Sequence, residues 1–331
     1  MIYNNIDNGG EHVKDLYSLR LYDEELLLFS LEEKGLEGLT AEILSINDSR
    51  KAVFPLDLKL TGNGVVRWLE KRVIPKNRAF VDEILKSLGL SVNNTTGIID
   101  VCKGLSLNDS YWVVPGDFTG RFHDYNLYEN RFSEELSLIA YTGIGKSNVP
   151  FTASPELTTQ GLLRKAWRFA DGDGLYLYKG GTAGFANAGN EPYSEFYACQ
   201  VAEAMGLCAV HYDLEYWKNI LASKCQIFTN IDTAFIPAGR LVSTGGIKAC
   251  LDYYQNLSPE FYEQLCSTLV FDTLVYNEDR HFGNFGVLRD SHTGQITGPA
   301  PIFDNGLSLF TRSMADDWRD MAAYAKTRAN P

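Results

Sequence analysis

The chain has 331 residues, 45% hydrophobic and 22% charged, with a formal net charge of −12 and an isoelectric point near 4.9. That acidity excludes broad contact with a nucleic-acid backbone, which needs a basic footprint, and the length fits two or three lobes rather than one ordinary domain. No apolar run approaches the roughly 18 residues of a membrane span, no signal peptide is visible, and six scattered cysteines without a C-x-x-C pair read as reduced thiols, so a cytoplasmic protein is expected.

In chain order, residues 16–21 and 26–31 alternate as a hairpin across the acidic turn Tyr22-Asp23-Glu24-Glu25. Helices are predicted over about 63–71 and 77–88, the second stopped by Gly89. The stretch 97–140 carries mixed signals around a turn at 106–110. A segment rich in Gly, Ser and Pro at 143–155 marks a boundary. It leaves 1–150 as a region of unassigned role, 151–232 as a first lobe and 233–331 as a second.

Beyond the boundary, 165–169 and 175–179 alternate like paired strands. A helix over 191–205 ends at Gly206, followed by strands near 208–215, 225–229 and 233–237. A long helix over 259–276 has Ser258 as its N-cap. A strand at 285–288, a turn at 291–294, a strand ending at Phe303 and a last helix over about 314–328 complete the pattern.

Two stretches concentrate the chemistry: Asn277-Glu278-Asp279-Arg280-His281-Phe282-Gly283-Asn284 and Pro301-Ile302-Phe303-Asp304-Asn305-Gly306. Phosphoryl transfer needs positioning and charge neutralisation more than covalent help. Asp279 can orient an attacking hydroxyl. Asn284 and Asp304 offer the hard oxygens that suit Mg²⁺. Asp-Asn-Gly alone is a common turn, so the weight rests on the pair of stretches. His281 has no second His or Cys at metal spacing and is read as loop packing.

Upstream, Lys179 closes a strand and can reach nucleotide phosphates. Glu195 on the next helix can brace it, a better candidate than Glu191 at the helix start. Residues 158–165 offer hydroxyls, backbone N–H groups and Gly161 as a phosphate-covering turn. Phe228-Thr229-Asn230 reads equally as an interlobe hinge or a plain connector. Residues 140–147 mimic a P-loop, but Pro150 and Pro155 forbid the helix that such a loop must open.

These elements, in this order, resemble the HipA-like serine/threonine kinases, the kinase-fold toxins of bacterial toxin–antitoxin systems, and related compact bacterial kinases. The resemblance covers about residues 151–310, and the D-R-H-x-x-N loop is shared more distantly with phosphoinositide kinases. It implies an α+β, two-lobed protein-kinase-like fold with an additional N-terminal α/β region and a short C-terminal lobe. It implies ATP and Mg²⁺ as cofactors, and transfer to a Ser or Thr hydroxyl of a protein that the sequence does not name. Asp279 becomes the catalytic base, Asn284 and Asp304 the metal ligands, and Lys179 the nucleotide lysine held by Glu195. Thr158, Thr159, Gly161, Phe228 and Asn230 surround the nucleotide, and Thr158 is the expected autophosphorylation site. A small helix-turn-helix antitoxin is the partner implied. The alternatives are an inactive kinase-fold binding module and a lipid kinase; no basic stretch or amphipathic membrane helix supports the latter.

Overall fold

The computed structural model describes residues 15–34, 38–146, 148–150, 152–172, 174–184 and 188–328. Four antiparallel strands open the chain's first sheet, in the order β3-β2-β1-β4. They are β1 (Asp15–Leu21), β2 (Glu24–Lys34), β3 (Gly38–Ile46) and β4 (Tyr111–Pro115). The β1–β2 turn is tighter than the sequence suggests: Glu24 already belongs to β2, and Tyr22 takes a left-handed φ of 52°. Leu19, Leu21, Leu27, Phe29 and Leu31 bury one layer of this sheet. Against them pack α1 (Gly62–Glu70), α2 (Val81–Ser87) and α3 (Thr95–Cys102) through Val65, Trp68, Leu69, Ile84, Leu85, Ile98 and Ile99.

The helix expected from 77 starts only at Val81, because Phe80 is left-handed at φ 60° and breaks the helical run. α4 (Glu134–Thr142) is capped by Ser133 and stopped by Gly143 at φ 75°. The helix therefore precedes residues 143–146 instead of following them, which removes any P-loop geometry. Ser147 of that motif lies outside the described residues.

The second sheet runs β5-β6-β8-β7. Its first hairpin, β5 (Lys165–Ala170) and β6 (Gly174–Gly180), follows the expected alternation. α5 (Glu191–Ala204) lies against this sheet, and β7 (Asp213–Trp217) and β8 (Ile220–Gln226) complete it. Both strands are displaced from the expected positions. A two-residue turn at Lys218-Asn219, both left-handed at φ 53° and 61°, fixes a different register.

The third sheet, β11-β10-β9, pairs β9 (Thr233–Pro237), β10 (Gly286–Asp290) and β11 (Ile296–Pro299). Between β9 and β10 run α6 (Ala238–Leu241), α7 (Gly246–Leu257) and α8 (Pro259–Leu274). Ser258 caps α8, its Oγ accepting from Phe261 N–H at 3.4 Å. The strand expected to end at Phe303 stops at Pro299. Ile302 instead exchanges backbone bonds of 2.8 Å with Cys208 and Val210. α9 (Met321–Arg328) begins later than predicted, after a short 3-10 turn at Asp317–Arg319.

The N-terminal half grips the rest of the chain at three places. Arg78 reaches Glu156, and Ala79 N–H donates to Leu162 O at 2.8 Å, at the second sheet. Thr229 Oγ1 donates to Leu107 O at 2.6 Å, and Phe235 N–H to Asn108 O at 2.7 Å, at the connector to the third sheet. Arg289 of β10 donates to Ala52 O at 2.6 Å and Phe54 O at 2.8 Å. No helix among the described residues is long and apolar enough to cross a membrane.

Candidate active site

A cleft of about 570 Å³ lies between the second sheet, the N-terminal end of α5 and the segment after β11. Strand pairing builds its wall. Lys165, Lys179 and Ser223 are cross-strand partners on β5, β6 and β8, so one row of side chains spans three strands and lines the cleft. Gly161 closes the top of it. Its φ of +96° requires glycine, and a side chain there would meet the Lys165 ammonium. Lys165 in turn donates to Gln160 O at 2.8 Å, tying the loop to the sheet.

Lys179 is the centre of the charge network. Its ammonium contacts both Glu195 of α5 and Asp304. Burial opposes its charge, but Asp304 and Glu195 outweigh that and hold the ammonium strongly protonated. Burial likewise opposes ionisation of Asp304, yet Lys179 and then Lys165 hold its carboxyl well below the usual range. Lys165 behaves oppositely: burial, then its neighbour Lys179, push its ammonium down to about 7. Glu191 also lines the cleft, but its carboxylate accepts from Thr182 N–H at 3.1 Å and does not touch Lys179.

Asp304 takes a left-handed φ of 60°, and four residues, Tyr212, Glu195, Ser194 and Arg280, hold the segment around it. Asp304 N–H donates to Tyr212 Oη at 3.3 Å, and Asn305 N–H donates to Glu195 Oε2 at 2.7 Å. Ser194 Oγ donates to Asn305 O at 2.7 Å and accepts from Ser308 N–H at 3.0 Å. Arg280 donates to Phe303 O and to Asn305 Oδ1 at 2.6 Å, while Asp272 of α8 receives its other face at 2.9 Å. The same guanidinium donates to Asn284 O at 2.9 Å. One arginine therefore locks the two motif stretches together.

Asp279 and His281 line the same cleft. Burial, then the Asp304 charge, raise the Asp279 carboxyl against the pull of His281. His281 Nδ1 accepts from Gly283 N–H at 3.0 Å, so it shapes the loop as expected while also facing the cleft.

The structure thus brings Asp279, Lys179, Glu195, Asp304 and Gly161 to one cleft. It does not bring the other candidates there. Asn284 is buried beside the cleft, with Nδ2 donating to Asp279 O at 3.1 Å. Thr158 is only 6% exposed and its hydroxyl faces Pro155 O, so the expected autophosphorylation site is enclosed. Thr159 Oγ1 donates to Pro155 O at 2.6 Å and accepts from Trp167 Nε1 at 3.1 Å. Phe228 packs against Phe235 and Phe303, with ring centres 5.4 and 5.3 Å away. Asn230 accepts from Thr233 N–H at 2.8 Å as a turn former.

Sequence reasoning missed Ser194, Tyr212, Asp272 and Ser223, none of which sits in a motif. Arg280 stood inside the quoted loop without a role. Ser223 Oγ finds no hydrogen-bond partner among the described residues, although Ser223 is fully buried and lines the cleft.

The chain is similar to kinases. No protein-family model matches it. Over 142 residues it is 28% identical to the serine/threonine-protein kinase CtkA of Helicobacter pylori. That stretch is 39% of this chain and 43% of CtkA, so less than half of the relative is spanned. A crystal structure of the H. pylori proinflammatory kinase CtkA aligns over 50% of this chain and 65% of its own, at 25% identity and a TM-score of 0.43. HipA from Shewanella oneidensis MR-1, solved with HipB and operator DNA, aligns over 95% of this chain and 85% of its own. That alignment has a TM-score of 0.55 at 15% identity, so it shows a common fold, and it takes in the N-terminal half as well as the half carrying the motifs. Across the shared stretch the sequence is similar to that of the kinase CtkA, and the fold is shared with HipA.

Proposed function

We propose that the chain is an ATP- and Mg²⁺-dependent kinase that transfers the γ-phosphate to a serine or threonine hydroxyl of a protein. One observation carries this reading: Lys179, paired with both Glu195 and Asp304, lines a single cleft with Asp279. Of the two expected metal ligands, Asp304 lines the cleft and Asn284 lies buried outside its lining. Asp304 presents a carboxylate to the cleft, and because Asn284 Nδ2 is committed to Asp279 O, its amide oxygen is the atom left for a cation. Bound Mg²⁺ neutralises charge on the nucleotide phosphates.

The chain's own residues supply the rest. Lys179 and Lys165 form a cationic floor for phosphate oxygens, and Glu195 keeps Lys179 oriented. Gly161 lets backbone approach the phosphates closely. Asp279 accepts the proton of the acceptor hydroxyl and orients its oxygen for attack. Its raised pKa favours that proton transfer.

Radiolabel transfer from ATP, using the purified full chain in cell lysate with Mg²⁺, tests the proposal. Asp279→Asn and Asp304→Ala should each lower transfer by about 100-fold or more. Transfer that survives both substitutions removes the site assignment. Nucleotide binding without transfer in the unaltered chain favours the inactive binding module instead.

A further inference from the structure

We propose that Cys199, Glu203 and His211 form a binding site for a transition-metal ion of the Zn²⁺ type, separate from the cleft and independent of the phosphotransfer reading. Their donor atoms, one sulfur, one carboxylate oxygen and one ring nitrogen, all lie within 4.8 Å of one another. A tetrahedral zinc ion with bonds of about 2.0–2.3 Å spaces its ligand atoms roughly 3.3–3.7 Å apart, so the Glu203–His211 pair, at 2.6 Å, opens to admit the ion. Side-chain adjustments on the order of an ångström complete the site.

The sequence folds this way for local reasons. Cys199 and Glu203 are four residues apart on α5, so their side chains stack on one helix face. The chain leaves α5, turns at Gly206 and returns toward β7, carrying His211 back along that face. Tyr212 N–H donates to Cys199 Sγ at 3.3 Å, which pins the returning segment against the helix. Cys199 is buried while Glu203 and His211 are exposed, so an ion reaches the sulfur through two solvent-facing ligands, with water as the fourth.

In the free protein the imidazole is held between two carboxylates, and binding replaces its contact with Glu203 by bonds from both groups to the ion. Nδ1 lies 2.6 Å from Glu203 Oε1, and Nε2 lies 3.4 Å from Asp213 Oδ1. A metal-bound histidine commonly gives its second ring N–H to such a carboxylate, which fixes the tautomer and orients the ring. The mixed sulfur, nitrogen and oxygen set suits Zn²⁺, in contrast with the oxygen donors of Asp304 and Asn284. Binding releases the thiol proton to solvent, and Phe196 O, 3.1 Å away, loses its weak S–H donor.

The position gives the ion leverage. Glu195 lies one helical turn before Cys199, and Tyr212, adjacent to His211, accepts from Asp304 N–H at 3.3 Å. An ion joining α5 to residue 211 would therefore fix the helix against the segment that supports Asp304.

The test is titration of the full chain with Co²⁺ and Cd²⁺, in a Cys208→Ser background that removes an exposed competing thiol. One equivalent should bind with a thiolate-to-metal charge-transfer band and, for Co²⁺, tetrahedral d–d bands, all displaced by Zn²⁺. His211→Ala and Cys199→Ser should abolish the bands, Cys266→Ser should leave them, and Asp213→Asn should weaken binding about tenfold. Absence of the band, its survival in both His211→Ala and Cys199→Ser, or binding only at millimolar metal overturns the proposal. Should Cys199→Ser unfold the protein, the exposed changes His211→Ala and Glu203→Gln decide the matter alone.

Discussion

Lys165 and Lys179 are cross-strand partners that differ in charge behaviour. Lys179 has two carboxylates against it and stays charged. Lys165 has a backbone carbonyl and a second lysine, and burial pushes it down to about 7. In the free protein its charge is present below that pH and lost above it. Nucleotide affinity should therefore fall as pH rises through about 7, measured by calorimetric titration from acid to alkaline buffer. Lys165→Arg, whose charge persists, should flatten that profile; a flat profile in the unaltered chain speaks against phosphate contact by Lys165. Arg280 makes a second prediction. Arg280→Met leaves Asp272, 8% exposed, as an uncompensated buried charge. The expected loss is about 3–5 kcal/mol, read from the urea midpoint. The polar motif residues were legible because phosphoryl transfer restricts which side chains can serve. Arg280, Ser194 and Tyr212 were not, because what they hold is backbone, and any donor or acceptor of suitable reach could do that.

Among the elements, legibility followed burial pattern. β5, β6, α5 and α8 have clear periodicity or caps and lie where the sequence puts them. Ser258→Ala should cost about 1 kcal/mol in chemical denaturation, because Phe261 N–H then lacks its cap. An unchanged midpoint would show that the 3.4 Å contact contributes nothing. β3 escaped notice because it is an edge strand paired only with β2 and mostly exposed or half-buried, so no alternation marks it. α7 was legible and overlooked: Ile247, Cys250, Leu251, Tyr254 and Leu257 recur at helical spacing and pack into the core shared with α8. The β7–β8 register depends on two non-glycine residues at positive φ, a conformation that Asn219 favours and Lys218 does not announce.

For the whole molecule, the N-terminal half is the least readable part of the sequence and among the most connected parts of the structure. Arg78 and Glu156 are both fully enclosed, and the same guanidinium donates to Glu156 O at 2.6 Å and Lys165 O at 3.0 Å. A region without motifs thus supports the strand that carries Lys165. Arg289 makes the corresponding contact from the third sheet to residues 52 and 54. The full chain should accordingly unfold in one calorimetric transition. Arg78→Met, which strands a buried carboxylate, should cost about 3–5 kcal/mol and weaken nucleotide binding together with stability. Two separate transitions, with the nucleotide-binding half melting independently, would contradict this coupling.

By itself the sequence determined the chemical types present, their order, and the helices and hairpins whose periodicity is strong, because these depend on local spacing and on what phosphate chemistry tolerates. Tertiary structure decided which of those residues meet. It joined Lys179, Glu195, Asp304 and Asp279 in one cleft, and it buried Thr158 while committing the half-buried Thr159 hydroxyl to Pro155 O and Trp167 Nε1. It brought His211 back to Cys199 and Glu203, and it set the N-terminal half against both flanking sheets. Those outcomes rest on long-range packing and on backbone bonds between distant segments, which leave no periodic mark on the residues that make them.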